Sequence, residues 1–198
     1  MRDVTILGIS GSLRAGSFNS ALLRAAVGLA PAGARIEVYE GLRDLPHYDA
    51  DLDGDDPPAP VVDLRRRVTD ADALLIATPE YNYSVPGVLK NAIDWASRPA
   101  PASSLQHKPV AVMGAAPGAF GSVRAQLALR QSFLWTDSIA VVKPEVAVFR
   151  AADRFDDGLS LTDASTADLV RDLLRALVDL VERTSSPDRD REAAISPV

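Results

Sequence analysis

Three short stretches of this chain hold the residue types that could grip a reactive group. The first is Ser10-Gly11-Ser12-Leu13-Arg14-Ala15-Gly16-Ser17-Phe18-Asn19. Its hydroxyls and its amide are neutral donors, its glycines let the backbone curl, and Arg14 adds a forked cation. It sits between an apolar strand-like run and a helical pattern. A strand, a tight turn and a helix N-terminus make an anion site, because free N–H groups and the helix dipole face the ligand. Arg14 within the turn favours phosphate over an ordinary capped helix start.

The second stretch, Thr78-Pro79-Glu80-Tyr81-Asn82-Tyr83-Ser84, follows the apolar run 73–77 and leads into a helix opened near Pro86. Open α/β sheets bind ligands just past the carboxyl ends of their strands. Pro79 sets the chain direction, Glu80 to Asn82 can aim backbone groups at a ring edge, and Tyr81 or Tyr83 can shield a planar face. For Tyr83 and Trp95 a subunit contact is the competing reading. The third stretch, 114–121, contains Ala116 and Gly118, and its glycines would allow close approach of a ring. One phosphate turn and one ring loop predict a flavin mononucleotide (FMN) site.

The elements that must position these stretches alternate. Strands are expected at 4–9, 35–39, 73–77 and 110–114, with fifth-strand material at 139–142 and 145–148. Helices are expected at 19–30, 61–69, 85–96, 121–134 and 168–183, the last carrying Val170, Leu173, Leu174, Leu177 and Val181 on its inner face. Ser165 with Asp168 resembles a capping box. Residues 41–60 read as a long solvated loop and 184–198 as a flexible tail. Alternation of this kind implies one flavodoxin-like α/β domain over 1–183: a three-layer sandwich with a five-stranded parallel sheet in the order 2-1-3-4-5.

Composition narrows the chemistry. The 198 residues include 47% hydrophobic ones, enough for one substantial core. A net charge of -6 argues against nucleic acid as a partner. The absence of cysteine excludes thiol nucleophiles, zinc-thiolate sites and iron–sulfur clusters, so redox chemistry would need a bound cofactor. No apolar run approaches the ~20 residues of a membrane span, and no signal peptide opens the chain, so a cytoplasmic location is expected. The turn at 8–13 does not fit G-x-G-x-x-G, although Glu40 stands where a dinucleotide fold would hold its ribose. Residues 49–54 imitate a calcium loop whose twelfth position is Pro60 and not glutamate. His47 and His107 show no ligand pattern, and Arg65-Arg66-Arg67 reads as a solvated helix face. No metal is expected.

The segments GSLRAGSFN at 11–19, TPEYNYSVPGVLKNAIDWASRP at 78–99 and GSVRAQLALRQ at 121–131 resemble the NADPH-dependent FMN reductase family, in its branch of quinone and chromate reductases. The resemblance runs from about residue 5 to the closing helix. It implies a flavodoxin-like fold, bound FMN, electrons from NAD(P)H, and a homodimer or homotetramer. Carried over by position, Ser12, Arg14, Ser17 and Asn19 would hold the phosphate, and Pro79, Glu80, Tyr81 and Asn82 would border the ring. Relatives often have serine where this chain has Ala115 and Ala116, so contact there would be through backbone. With Ser10, Leu13, Phe18, Ala116 and Gly118 these complete the expected cofactor residues, and no acid–base residue is assigned.

The expected activity is ping-pong hydride transfer from NAD(P)H through FMN to a small-molecule acceptor: a quinone first, with chromate, azo compounds or free flavin also open. A flavodoxin-type electron carrier and a flavin sensor without turnover are the alternatives. Helix 121–134 carries two apolar stripes, Val123/Leu127/Leu134 and Ala125/Leu129/Phe133. One can face the sheet, which leaves the other for a second subunit. Helix 85–96 is expected at the same interface, which would place the Tyr83 and Trp95 region of one subunit near the flavin pocket of the other.

Overall fold

A computed structural model describes residues 3–100 and 102–185. Strands β1 (Val4–Ser10), β2 (Ala34–Tyr39), β3 (Ala73–Ala77), β4 (Pro109–Ala115), β5 (Ile139–Ala140) and β6 (Val146–Val148) pair in parallel. The order is β2-β1-β3-β4-β5, with β6 also on β4, which is the flavodoxin-like order expected. The edge differs from a five-strand sheet. β5 pairs with the start of β4, Ile139 opposite Pro109, and β6 with its end, Val146 opposite Met113. Lys143-Pro144 lies between them, and Pro144 has no N–H to give a ladder.

Every residue of β3 and β4 is buried, as in parallel strands covered on both faces. Strand alternation then sorts the layers. Ile6, Leu75, Ala111 and Met113 face helices α1 (Phe18–Gly28) and α5 (Ala164–Ser185). Leu7, Leu74, Ile76 and Val112 face α2 (Ala59–Asp70), α3 (Gly87–Ala96) and α4 (Val123–Trp135). The predicted α5 stripe, Val170 to Val181, is buried. Each such side chain contributes roughly 1.5–3 kcal/mol relative to exposure, so packing holds this helix in place more than propensity does.

Three expectations change. First, α5 starts at Ala164, not 168, and its cap is Asp163 instead of Ser165. Asp163 Oδ2 accepts from Ser165 Oγ (2.6 Å), Thr166 Oγ1 (2.6 Å) and Thr166 N (2.8 Å). These hydrogen bonds, from Ser165 first and then Thr166, hold its carboxyl well below the usual carboxylate range. Thr184 and Ser185 belong to the helix, and the rest of the expected tail, 186–198, lies outside the described residues. Second, 41–60 is not an open loop. It contains helical turns at Gly41–Asp44 and Ala50–Leu52. Pro46 O accepts from Asn91 Nδ2 and Trp95 Nε1, both at 2.8 Å, and Tyr48 N donates to Asn91 Oδ1 at 2.7 Å.

Third, Arg65 is not on a solvated face. It donates to Asp53 Oδ1 (2.7 Å) and Trp95 O (3.0 Å). Trp95 is fully buried, edge-on to Tyr48, so it borders neither a ring site nor a subunit contact. Asp53, part of the calcium-like segment, is thus engaged by Arg65. Among the described residues no group of three or more His, Asp or Glu could hold a metal ion, and no helix is long and apolar enough to cross a membrane.

Candidate cofactor site

The first turn emerges from β1 at the carboxyl edge of the sheet. Gly11 N donates to Ala77 O at 2.8 Å, which ties this turn to the end of β3. Ser10 Oγ lies 2.8 Å from Ser20 Oγ, linking strand end to helix start. Ser17 caps α1, its Oγ accepting from Asn19 N (3.2 Å) and Ser20 N (3.3 Å). Leu13 O accepts from Arg43 Nη2 at 2.8 Å, which fastens the turn to the segment after β2. Phe18 packs on Phe155, ring centres 5.5 Å apart. Ser12 is half-buried, and Arg14 is exposed.

Asn19 has a different task from a free donor. Its Nδ2 donates to Ala115 O and its Oδ1 accepts from Ala115 N, both at 2.9 Å, in a buried setting. It therefore bolts the start of α1 to the end of β4. The donors that remain, hydroxyls beside a guanidinium at the positive end of a helix, match a phosphate ester.

The turn also has a second face, toward β2. Ser10, Ser12, Leu13 and Arg14 line a cleft of about 340 Å³ together with Arg24 and Arg43. Tyr39 borders it, and its phenol is pushed up to about 12, by burial first and then by Asp63. It stays neutral at physiological pH.

The ring loop is a tight hairpin. Tyr81 N donates to Ser84 O (3.1 Å) and Ser84 N to Tyr81 O (3.0 Å). The two residues between them, Asn82 and Tyr83, have φ of 49° and 69°, a pair of left-handed residues that suits a two-residue hairpin turn. Thr78 and Pro79 are buried beneath, while Tyr81 and Tyr83 are exposed. Flat exposed side chains above a rigid strand end suit a planar heterocycle.

The third loop departs from its sequence reading. Gly114 and Gly121 serve packing and not ring approach. A Cβ on Gly114 would lie 1.9 Å from Ser122 Oγ, and one on Gly121 (φ 53°) would lie 2.6 Å from the Ala147 carbonyl carbon. Ala116 uses both backbone groups internally, its N–H on Val148 O (2.9 Å) and its carbonyl accepting from Ala151 N (3.1 Å). Gly118 stands open.

Sequence reasoning missed one connection. Glu80 Oε2 accepts from Arg124 N at 3.0 Å and Oε1 from Arg124 Nε at 2.5 Å, and Nη2 of the same guanidinium forms an ion pair with Oε1 at 2.5 Å. This pair joins the ring loop to the first turn of α4. The matched segment 121–131 contained Arg124, but nothing local gave it a partner.

A model of a family described as NADPH-dependent FMN reductase matches residues 4–153. The chain is 47% identical, over 181 residues, to an NAD(P)H-dependent FMN reductase of Pseudomonas aeruginosa, covering 91% of this chain and 97% of that one. It is 38% identical over 185 residues to a quinone reductase of Escherichia coli, with 92% and 96% covered. Among solved structures, the flavoenzyme NAD(P)H:(acceptor) oxidoreductase of Paracoccus denitrificans superposes with a TM-score of 0.83 at 37% identity, covering 91% of this chain and 98% of that one.

Proposed function

The chain belongs to the NADPH-dependent FMN reductase family, and from that premise we propose how its own residues serve an FMN-dependent NAD(P)H oxidoreductase. The carrying observation is the meeting of two loops at one sheet edge, the Ser- and Arg-bearing turn hydrogen-bonded to the strand end that launches the aromatic hairpin. In this reading Ser12 and Arg14 bind the FMN phosphate at the start of α1. Ser10 and Ser17 fix the turn's shape, and Asn19 locks it to β4. Leu13 and Phe18 anchor it from either side. Pro79, Glu80, Tyr81 and Asn82 border the ring, with Ala116 and Gly118 facing it from the third loop.

Bound FMN supplies the two-electron chemistry. The chain's part is to orient it, cover one ring face and leave the other open. Donor and acceptor use that one open face in turn. A quinone is the favoured acceptor, by analogy with the quinone reductase of Escherichia coli. A cytoplasmic location and one domain over 1–183 complete the reading.

The protein is further proposed to be a homodimer or homotetramer. Ala125, Leu129 and Phe133 of α4 are buried against the sheet, while Val123, Leu127, Leu134 and Trp135 are exposed. Leu134 and Trp135 are 82% and 91% exposed. The solvent side of α3 instead carries the Lys90–Asp94 pair, so the apolar surface supporting association is that of α4.

Steady-state kinetics tests the function. Purified protein should release FMN on denaturation and oxidise NADPH with a quinone and no partner protein. Double-reciprocal lines should be parallel. Release of FAD, or a strict requirement for a second reductase, overturns the reading, and intersecting lines overturn the shared opening.

A further inference from the structure

We propose that Arg124 is a positioning residue of the cofactor site, holding the two loops that flank the ring in one arrangement. The proposal rests on the reading of 79–82 as the ring's border. Glu80 has a side chain only 9% exposed. A carboxylate so far removed from water needs compensation. Arg124 supplies it with two hydrogen-bond donors, its own backbone N–H and Nε, and with an ion pair from Nη2. Charge-assisted bonds of this kind are directional as well as strong.

The same guanidinium lies 3.7 Å from the Tyr83 ring centre and 4.6 Å from that of Phe120. Arginine stacks on aromatic faces in this range. One side chain on the first turn of α4 thus touches the hairpin at Glu80 and Tyr83 and the third loop at Phe120. The hairpin needs such a hold. Left-handed backbone is tolerated by Asn82, but at Tyr83, with φ of 69°, it crowds Cβ against the following carbonyl oxygen. The Arg124 stack secures the ring of the very residue whose backbone is least content. Arg124 therefore acts through the backbone of 80–83 and need not touch the flavin or a substrate.

Three readouts on the full chain test this. They are the FMN dissociation constant from flavin fluorescence, amide hydrogen exchange of Tyr81 and Ser84 in apoprotein, and a double-mutant cycle. Arg124→Ala and Glu80→Gln should each raise the dissociation constant about tenfold, the weight of one good charge-assisted hydrogen bond. Exchange at Tyr81 and Ser84 should quicken in both. The double variant should be no weaker than the weaker single, because both remove one network. Arg124→Lys keeps charge but loses the planar fork, and should stay weak; it carries the test should Arg124→Ala fold poorly.

Unchanged affinity in Arg124→Ala, or additive singles, overturns the proposal. So does weakened affinity with unchanged exchange, since Arg124 would then act by direct contact. Arg14→Ala is the control. If it too leaves FMN affinity unchanged, the assignment of the site is what fails; if it weakens binding while Arg124→Ala does not, only the positioning role falls.

Discussion

Replacing Asn19 with alanine should destabilise the protein itself, with or without cofactor, and by more than any loss of a phosphate contact requires. The Asn19 side chain is buried and makes two hydrogen bonds of 2.9 Å to the N–H and C=O of Ala115. Alanine leaves both Ala115 groups buried without partners. Each costs about 1–3 kcal/mol, so the ceiling is roughly 6 kcal/mol. Water entering the vacated space recovers part of that, and about 2–4 kcal/mol is expected. With a urea slope of about 2 kcal/mol/M, the midpoint should fall by about 1–2 M. The melting temperature should fall by about 5–15 °C. Urea unfolding of apoprotein, followed by the emission of buried Trp95, measures this without FMN. Asn19→Asp is a sharper variant: it keeps an acceptor for Ala115 N but turns a second oxygen toward a carbonyl, so it should not rescue. An apoprotein midpoint moved by less than about 0.3 M, alongside a large loss of FMN affinity, would refute the bridge and return Asn19 to the phosphate.

Further outcomes are expected. Arg14→Ala should weaken FMN binding by roughly 1.5–3 kcal/mol, the range for a hydrogen bond to a charged group, read by fluorescence titration; an unchanged constant removes Arg14 from the site. Asp163→Asn should lower the melting temperature at neutral pH. Because the folded Asp163 carboxyl sits below its ordinary value, its contribution is complete above about pH 4 and fades as the pH drops further. The gap between variant and wild type should narrow there, and a gap constant from neutral pH down to about 3 refutes the cap. Leu127→Asp, at a site 55% exposed in one chain, should leave the fold intact but cut the mass seen by light scattering. A wild-type mass near 21.1 kDa, with full activity, refutes association.

The layers were legible because burial and period coincide. The all-apolar run of β3 has no polar face to offer water, so only a strand covered on both sides suits it. The α5 stripe was legible for the same reason. The errors lie where a neighbour distant in the chain changes a residue's surroundings. Trp95 falls off the Leu89, Ala92, Ile93, Ala96 stripe, and by period alone it should face outward. Segment 45–48 docks on that side, takes its indole N–H at Pro46, and widens the buried face. Arg65 goes inward for the same reason, through Asp53. Ser165 lost the cap of α5 to Asp163 because either residue has a suitable oxygen, and only the path of the incoming chain selects between them.

The site shows the same division at finer grain. Segments whose meaning is local, a hydroxyl-rich turn at a strand end or a hairpin after Pro79, could be read in one dimension. Their couplings could not. An asparagine amide suits a phosphate oxygen and a backbone peptide equally well, and the peptide that takes it is 96 residues away. Gly114 and Gly121 look like ring clearance until the atoms filling that clearance are seen to be Ser122 and Ala147. Glu80 reads as one more loop acid until Arg124, 44 residues on, closes over it. Each case gives a residue one chemical capacity and two possible recipients, and topology alone chooses the recipient. Hence the turn, the hairpin and the third loop are best perturbed in pairs. Single substitutions at Asn19 or Arg124 report on the framework between loops as much as on anything held within them.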